Sequence, residues 1–299
     1  MSKILKVRNV SDYSEYVGHK DTHPLVSVID YSEVTPIRNS LCSYSVFGLF
    51  LMDDNRIDLK YGLGKYDYKE GTLICVSPGQ LGGKEENGEL VDIKGWALLF
   101  HPDFLHGTHL EHTIKEYTFF DYSVNEALHM STEEHDTLVS LMRQIKRELS
   151  GGRDEFQDSI VLGYIETLLN YCRRFYSRQF LTRKLENTDL LQRFNTLLYD
   201  YFNIGKQLSL GLPTVQYFAD KLCLSSNYFS DLIKKTTGAT ASNHIRNHLI
   251  QQIKNHLASG ESIAQTAYAL GFEYPQHLSR MFKKHTGMSP KDYISKLEK

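Results

Sequence analysis

A two-domain α+β protein is expected, with a strand-rich front half and an all-helical tail, and two observations carry that expectation. The first is a change of period. The first hundred residues hold short apolar or β-branched runs separated by turn residues, whereas after about residue 130 apolar side chains recur three and four apart. The second is a duplication in the last third. Ala219-Asp220-Lys221-Leu222 stands 48 residues before Ala267-Tyr268-Ala269-Leu270, and Lys234-Lys235-Thr236-Thr237-Gly238 stands 49 before Lys283-Lys284-His285-Thr286-Gly287. One unit is repeated, with one residue added between its two helices.

In the front half, residues 25–29, 45–51, 72–76 and 96–100 read as strands, bounded by turn signals such as Asp53-Asp54-Asn55 and Ser77-Pro78-Gly79. Short strands at this spacing predict a small barrel or sandwich. Residues 100–108 would follow the last strand as a helical turn. Ser131 then caps a helix with Leu138, Leu141, Met142, Ile145 and Leu149 on one face, ended by Gly151-Gly152. A second helix, 156–177, carries Ile160, Tyr164, Leu168 and Tyr171. These two amphipathic helices have three partners open to them: the barrel, each other, or a second copy of the chain, and a homodimer through 132–178 is expected on the last. Residues 178–187 are polar and basic, 188–202 return to a helical pattern, and 203–213 are punctuated by glycine and proline. The expected division is a front domain over 1–185, a helical linker over 186–210 and a helical domain over 211–299.

Composition narrows the function classes. With 41% hydrophobic and 23% charged residues the chain is an ordinary globular one. No stretch approaches the roughly 20 apolar residues that cross a bilayer, and residues 1–6 lack a leader's apolar run, so a cytoplasmic, nucleoid-associated protein with no membrane partner is expected. Cys42, Cys75, Cys172 and Cys223 are scattered without CxxC spacing and read as buried reduced thiols. The net charge of −2 hides an asymmetry: residues 195–299 hold 12 Lys and Arg against 7 Asp and Glu, whereas residues 1–194 hold 22 against 29. A basic tail on an acidic front suits a nucleic-acid binder, because phosphate neutralisation depends on the local field.

Within each repeat the pattern is a supporting helix, a tight turn and a second helix ending in Lys-Lys before a glycine. Thr214 and Ser262 fit as caps of the supporting helices and Ser225 or Ser226 as a cap of the first unit's second helix; Pro275 sits where a helix tolerates proline. Small Ala219 and Ala267 permit close helix crossing. Leu222, Leu224, Phe229 and Leu232 form one small core, and Leu270, Phe272, Leu278 and Phe282 the other. The opposite faces are then available to a major groove of double-stranded DNA. Asn227, Ser230, Asp231, Gln276, Ser279 and Arg280 are the candidate base readers, with Arg280 suited to guanine and Gln276 to adenine; Lys234, Lys235, Lys283 and Lys284 suit phosphates.

The run from Ser262-Ile263-Ala264 through Ala267-Tyr268-Ala269-Leu270-Gly271-Phe272, then Phe282 through Met288-Ser289-Pro290 and Tyr293, closely resembles the AraC/XylS-type transcription regulators over about residues 210–297. That resemblance implies two helix-turn-helix units joined by a long helix over about 241–257, entering successive major-groove segments, and it implies the transcription machinery as a partner. Ile233, Gln276-His277-Leu278 and His248 depart from the family's usual residues. It also implies a cupin-like front domain that binds a small-molecule effector or holds a dimer.

For such an effector the candidate wall residues are Phe47, Phe50, Tyr61, Tyr66 and Trp96, against the simpler reading that all five are core. His101, His106, His109 and His112 fall within twelve residues, but neither an HxH pair with a following glutamate nor HExxH occurs. No metal, no cofactor and no catalytic residue is assigned. The competing class is a cupin-type metal enzyme with an attached DNA-targeting module.

Overall fold

Every apolar run of the front half becomes a strand. The computed structural model describes residues 4–53, 71–83, 89–123, 126–182 and 184–297. In chain order the strands are β1 (Leu5–Val7), β2 (Val26–Asp30), β3 (Ile37–Arg38), β4 (Leu41–Tyr44), β5 (Phe47–Met52), β6 (Thr72–Val76), β7 (Leu81–Gly83), β8 (Leu90–Val91), β9 (Gly95–Phe100) and β10 (Leu128–His129). The longest pair into an antiparallel sheet ordered β10-β6-β5-β9-β2; β1-β4-β7 and β3-β8 form two smaller sheets. The strands therefore make layers and not the closed barrel the sequence suggested: among the described residues β2 and β10 are edges, and helices or a second sheet cover the faces.

Register decides what each face buries. Leu49 lies opposite both Leu98 and Cys75, so Phe47, Leu49 and Leu51 share a face with Trp96, Leu98 and Phe100, while Phe50, Ala97 and Leu99 point the other way. The second face packs with Ile29 and Val76 against Val10, Tyr13 and Val17 of α1 (Val10–Val17) and against Cys42 and Tyr44. There the Tyr13 and Tyr31 hydroxyls meet at 2.6 Å, and burial pushes both phenols well above their ordinary pKa.

The first face is covered by α3 (Thr132–Ser150), which contacts β2 and β9, and by α4 (Gln157–Thr182), which contacts α3 and β10. Ser131 forms the expected capping box with Glu134. The buried side of α4 is Val161, Ile165, Leu168, Leu169, Cys172 and Phe175, about a quarter turn from the predicted stripe; Ile160 is 41% exposed. The helix also runs past the expected end at 177, because buried Gln179 binds the backbone of β10, accepting from His129 N at 2.8 Å and donating to the Ala127 carbonyl. Arg178 adds an ion pair to Glu134. Residues 178–182, the start of the polar and basic stretch, are thus helix that ties the front unit together.

The effector-wall candidates separate. Phe47 stacks on Phe100 at 5.1 Å and meets Phe120, Phe50 meets Tyr13 and Tyr44 on the opposite face, and Trp96 lies beneath Arg143 and Lys146. Tyr61 and Tyr66 lie outside the described residues. His101 caps a short turn at 102–105 and His106 bonds Glu111 at 3.0 Å; His109 and His112 lie on α2 (His109–Thr113). Among the described residues no group of three or more His, Cys, Asp or Glu is placed to hold a metal, and no helix is long and apolar enough to cross a membrane.

The chain divides into two compact units, 1–182 and 183–299. The second is all helical: α5 (Lys184–Asn203), α6 (Lys206–Leu210), α7 (Val215–Lys221), α8 (Ser226–Thr237), α9 (Ala241–Ala258), α10 (Ile263–Ala269), α11 (Pro275–Thr286) and α12 (Pro290–Leu297). The helix α5 packs on α7 and α8, with Phe194 buried edge-on to Phe218 and Phe229 at 5.2 and 5.1 Å. Residues expected to form a linker are thus part of this unit's core.

Candidate nucleic-acid interface

The two repeats fold alike down to single hydrogen bonds. Helices α7 and α10 each have seven residues and α8 and α11 twelve, and the second unit's extra residue falls in the turn before α11. Thr214 and Ser262 cap the supporting helices by accepting from Tyr217 N and Gln265 N. In each turn the chain reverses over one left-handed residue, Cys223 at φ 58° and Gly271 at φ 83°. The next amide then donates back to the helical alanine: Leu224 N to Ala219 O and Phe272 N to Ala267 O, both at 2.9 Å. At the far ends Gly238 and Gly287 share φ 79°, and Thr237 and Thr286 each donate to a carbonyl one turn back at 2.8 Å.

Cores form where the sequence placed them. Leu222, Leu224, Phe229 and Leu232 are buried in one unit, and Leu270, Phe272, Leu278 and Phe282 in the other; Ile233 and Tyr228 widen the first. With Leu278 and Phe282 facing inward, the outer face of α11 presents Gln276, Arg280, Lys283 and Lys284, all exposed. Ser279 lies on its flank, half-buried, its hydroxyl donating to Pro275 O at 3.1 Å. On α8, Lys234 and Lys235 are exposed, while Asn227, Ser230 and Asp231 are half-buried on the same side. The hydroxyl of Ser226 donates to Gln216 Oε1 at 2.6 Å, and Gln216 also donates to Asp220, so this network fixes α7 against the start of α8.

One further residue joins this face, and a second, Arg246, lies near the end of α11. His277 is exposed, edge-on to Tyr274 at 5.4 Å, closer to the middle of the outer face of α11 than Ser279. A period count from Leu278 and Phe282 would have found it. Arg246, on α9, donates to Asn243 Oδ1 at 2.7 Å. Partial desolvation, then the charges of Arg246 and Lys284, hold the His285 imidazole below its ordinary pKa. The basic end of α11 is therefore a cluster drawn from two helices. No sequence spacing announces that juxtaposition.

Cys223 departs from the expectation for the thiols. Cys42, Cys75 and Cys172 are buried, and burial raises each thiol's pKa, whereas Cys223 is exposed because its turn directs it outward.

Comparison with known proteins agrees with this architecture. Residues 218–296 match the helix-turn-helix domain family. Over 102 residues, 33% of this chain and 56% of the relative, it is 30% identical to an uncharacterized HTH-type transcriptional regulator in the cgkA 5' region of Pseudoalteromonas carrageenovora. It is 28% identical over 131 residues, 43% of each chain, to the uncharacterized HTH-type transcriptional regulator YijO of Escherichia coli K12. The chain spans about half the length of the curated relatives it matches. Among solved structures, the C-terminal domain of the response regulator yesN from Fusobacterium nucleatum is 25% identical, with a TM-score of 0.30, covering 33% of this chain and 96% of that one.

Proposed function

We propose that the chain is an AraC/XylS-type transcription regulator whose two helix-turn-helix units read successive major-groove segments of double-stranded DNA. One observation carries the reading: two units with equal helix lengths, matching turns and matching caps each turn a polar, lysine-ended helix face outward. Asn227, Ser230, Asp231, Gln276 and Arg280 face bases in this reading, and Lys234, Lys235, Lys283 and Lys284 face phosphates. Ser279 stands on the flank with its hydroxyl held by Pro275 O and is left out of the readers. His277 joins the readers and Arg246 the phosphate contacts. The front unit senses a small ligand or holds a homodimer. A stripe of Phe156, just before α4, and Ile160, Tyr164 and Tyr171 on it, exposed or half-buried, supports the dimer.

Capture and sequencing of genomic DNA fragments on the purified chain tests the central reading. Enrichment of a motif with two blocks about one helical turn apart is the expected result. If neither the full chain nor residues 183–299 enriches any motif, the reading is wrong; enrichment by the shorter piece alone means that the front unit holds the reader back.

A further inference from the structure

The two units match in helix length, so their residues can be compared place by place, and at one place on the outer face the charge is reversed. Asp231 is the sixth residue of α8 and Arg280 the sixth of α11. Around them the pattern is kept: Asn227 corresponds to Gln276, Ser230 to Ser279, and Lys234-Lys235 to Lys283-Lys284. The supporting helices differ in the same sense. Exposed Asp220 is the sixth residue of α7, where α10 has exposed Tyr268.

This reversal sets the electrostatics of each face. Two lysines against Asp231 leave α8 with one net positive charge, whereas Arg280, Lys283 and Lys284 give α11 three, and α11 carries no carboxylate. On α7, Lys221 only offsets Asp220. Gln216 holds that second carboxylate beside the start of α8, donating to it at 2.6 Å while accepting from Ser226 at 2.6 Å. Reach differs too: Gln276, His277 and Arg280 are exposed, while Asn227, Ser230 and Asp231 are shorter and half-buried.

A major groove is about 12 Å wide, so a carboxylate inside it lies within about a Debye length of phosphates on both strands. That repulsion is offset where the carboxylate accepts from a base, and its usual partner at the groove edge is the cytosine N4 amine. Guanine asks for the opposite, because its O6 and N7 both accept. A carboxylate accepts several bonds at once, so the contacts Asp231 makes within the protein leave it able to take an amine.

We propose that the two units divide the work: α11 anchors the chain on DNA with Arg280 donating to a guanine, whereas Asp231 at the corresponding place on α8 accepts from a cytosine and repels sequences that lack one there. This division rests on the DNA-reading role proposed above for both faces.

The test is fluorescence titration of the full chain on the captured duplex, on that duplex with either block scrambled, and on a random duplex. The base pair at which Arg280→Ala loses its preference marks the block read by α11. Scrambling that block weakens binding about a hundredfold, and scrambling the other about tenfold. Asp231→Asn tightens binding to the random duplex about threefold or more and lowers the preference for cytosine at one base pair of the second block about tenfold. Asp231→Glu, which keeps the charge, leaves the random duplex weakly bound. A variant damaged in its fold would lose affinity on both duplexes, so a gain on the random one separates the charge from a structural role. Equal losses from scrambling either block, or no cytosine preference by the parent in the block read by α8, overturns the division. So does random-duplex affinity that Asp231→Asn leaves unchanged or lowers while its thermal melt matches the parent's. If no motif is captured, the DNA-reading role falls and the division with it; if one is captured and both blocks count equally, only the division falls.

Discussion

Cys223 and Gly271 occupy the same place in the two turns, both left-handed, yet only one of them has to be glycine. A Cβ on Gly271 would stand 2.5 Å from the backbone oxygen of Gln207, because α6 lies against this turn; Gln207 also donates from Nε2 to Ala269 O at 3.0 Å. The first turn has a side chain at that place, and the left-handed conformation of that residue costs about 1–2 kcal/mol. Opposite responses follow. Gly271→Ala adds both strain and overlap and is expected to destabilise the helical unit by more than about 2 kcal/mol. Cys223→Gly relieves strain but frees the unfolded chain, leaving a net gain of about 0.5–1 kcal/mol. Urea unfolding of the full chain followed by circular dichroism measures both; equal effects would mean that the turns do not differ.

Arg280 and Lys284 share a helix but should differ in what they lose. Arg280→Ala is expected to weaken binding to the enriched sequence by about 1–3 kcal/mol and to relax one base pair, whereas Lys284→Ala weakens all DNA and flattens the salt dependence by about one ion. His277→Ala should behave like Arg280→Ala with a smaller loss, and Ser279→Ala should change little, since that hydroxyl serves Pro275. Fluorescence titration on specific and scrambled duplexes at several salt concentrations separates the four. An identical loss on both duplexes removes Arg280 from the readers.

Phe194 tests where the helical unit begins. It is fully buried between Phe218 and Phe229, so Phe194→Ala is expected to cost about 3–5 kcal/mol, as for other large-to-small changes in a core. A piece starting at 211 lacks this ring, Tyr201 and Gln207, and should be unfolded or nearly so, whereas 183–299 should show a cooperative melt. Equal melts for the two pieces would return α5 to the status of a linker.

This also marks how much the sequence disclosed. The repeat was fully legible because its signals are local: caps, glycines and periods of three and four lie within a dozen residues of one another. Ser131, Gly238 and Gly287 needed no tertiary knowledge. Phe194 did, since nothing near it in sequence says that it fills the first unit's core from outside. Strand runs were legible but closure was not, because closure depends on which edges meet.

Ile160 bears on assembly. It remains exposed on α4, as does Phe156 just before the helix, after α4 has buried its other side, and a dimer through this stripe should dissociate when Ile160→Asp places a charge in it. Sedimentation at micromolar concentration is expected to show a dimer for the parent and a monomer for the variant. A monomeric parent would assign the stripe no role in pairing.

His248 gives the helical unit a pH dependence whose sign can be worked out. Its ring stacks on Phe202 at 5.4 Å and lies 3.3 Å from Gln252 Nε2, and burial holds its pKa below the ordinary histidine value. The unfolded chain therefore takes up a proton at a higher pH than the folded one. The stability that this neutral ring contributes is present above the unfolded pKa, about 6.5. It is lost as pH falls from there through the folded value. Unfolding followed from pH 8 to pH 5 should show the helical unit weakening below about 6.5, and His248→Gln, which cannot take the proton, should flatten that part of the profile. A parallel decline in parent and variant would assign the loss to other groups, His285 first, since it too is held low and sits beside Arg246 and Lys284.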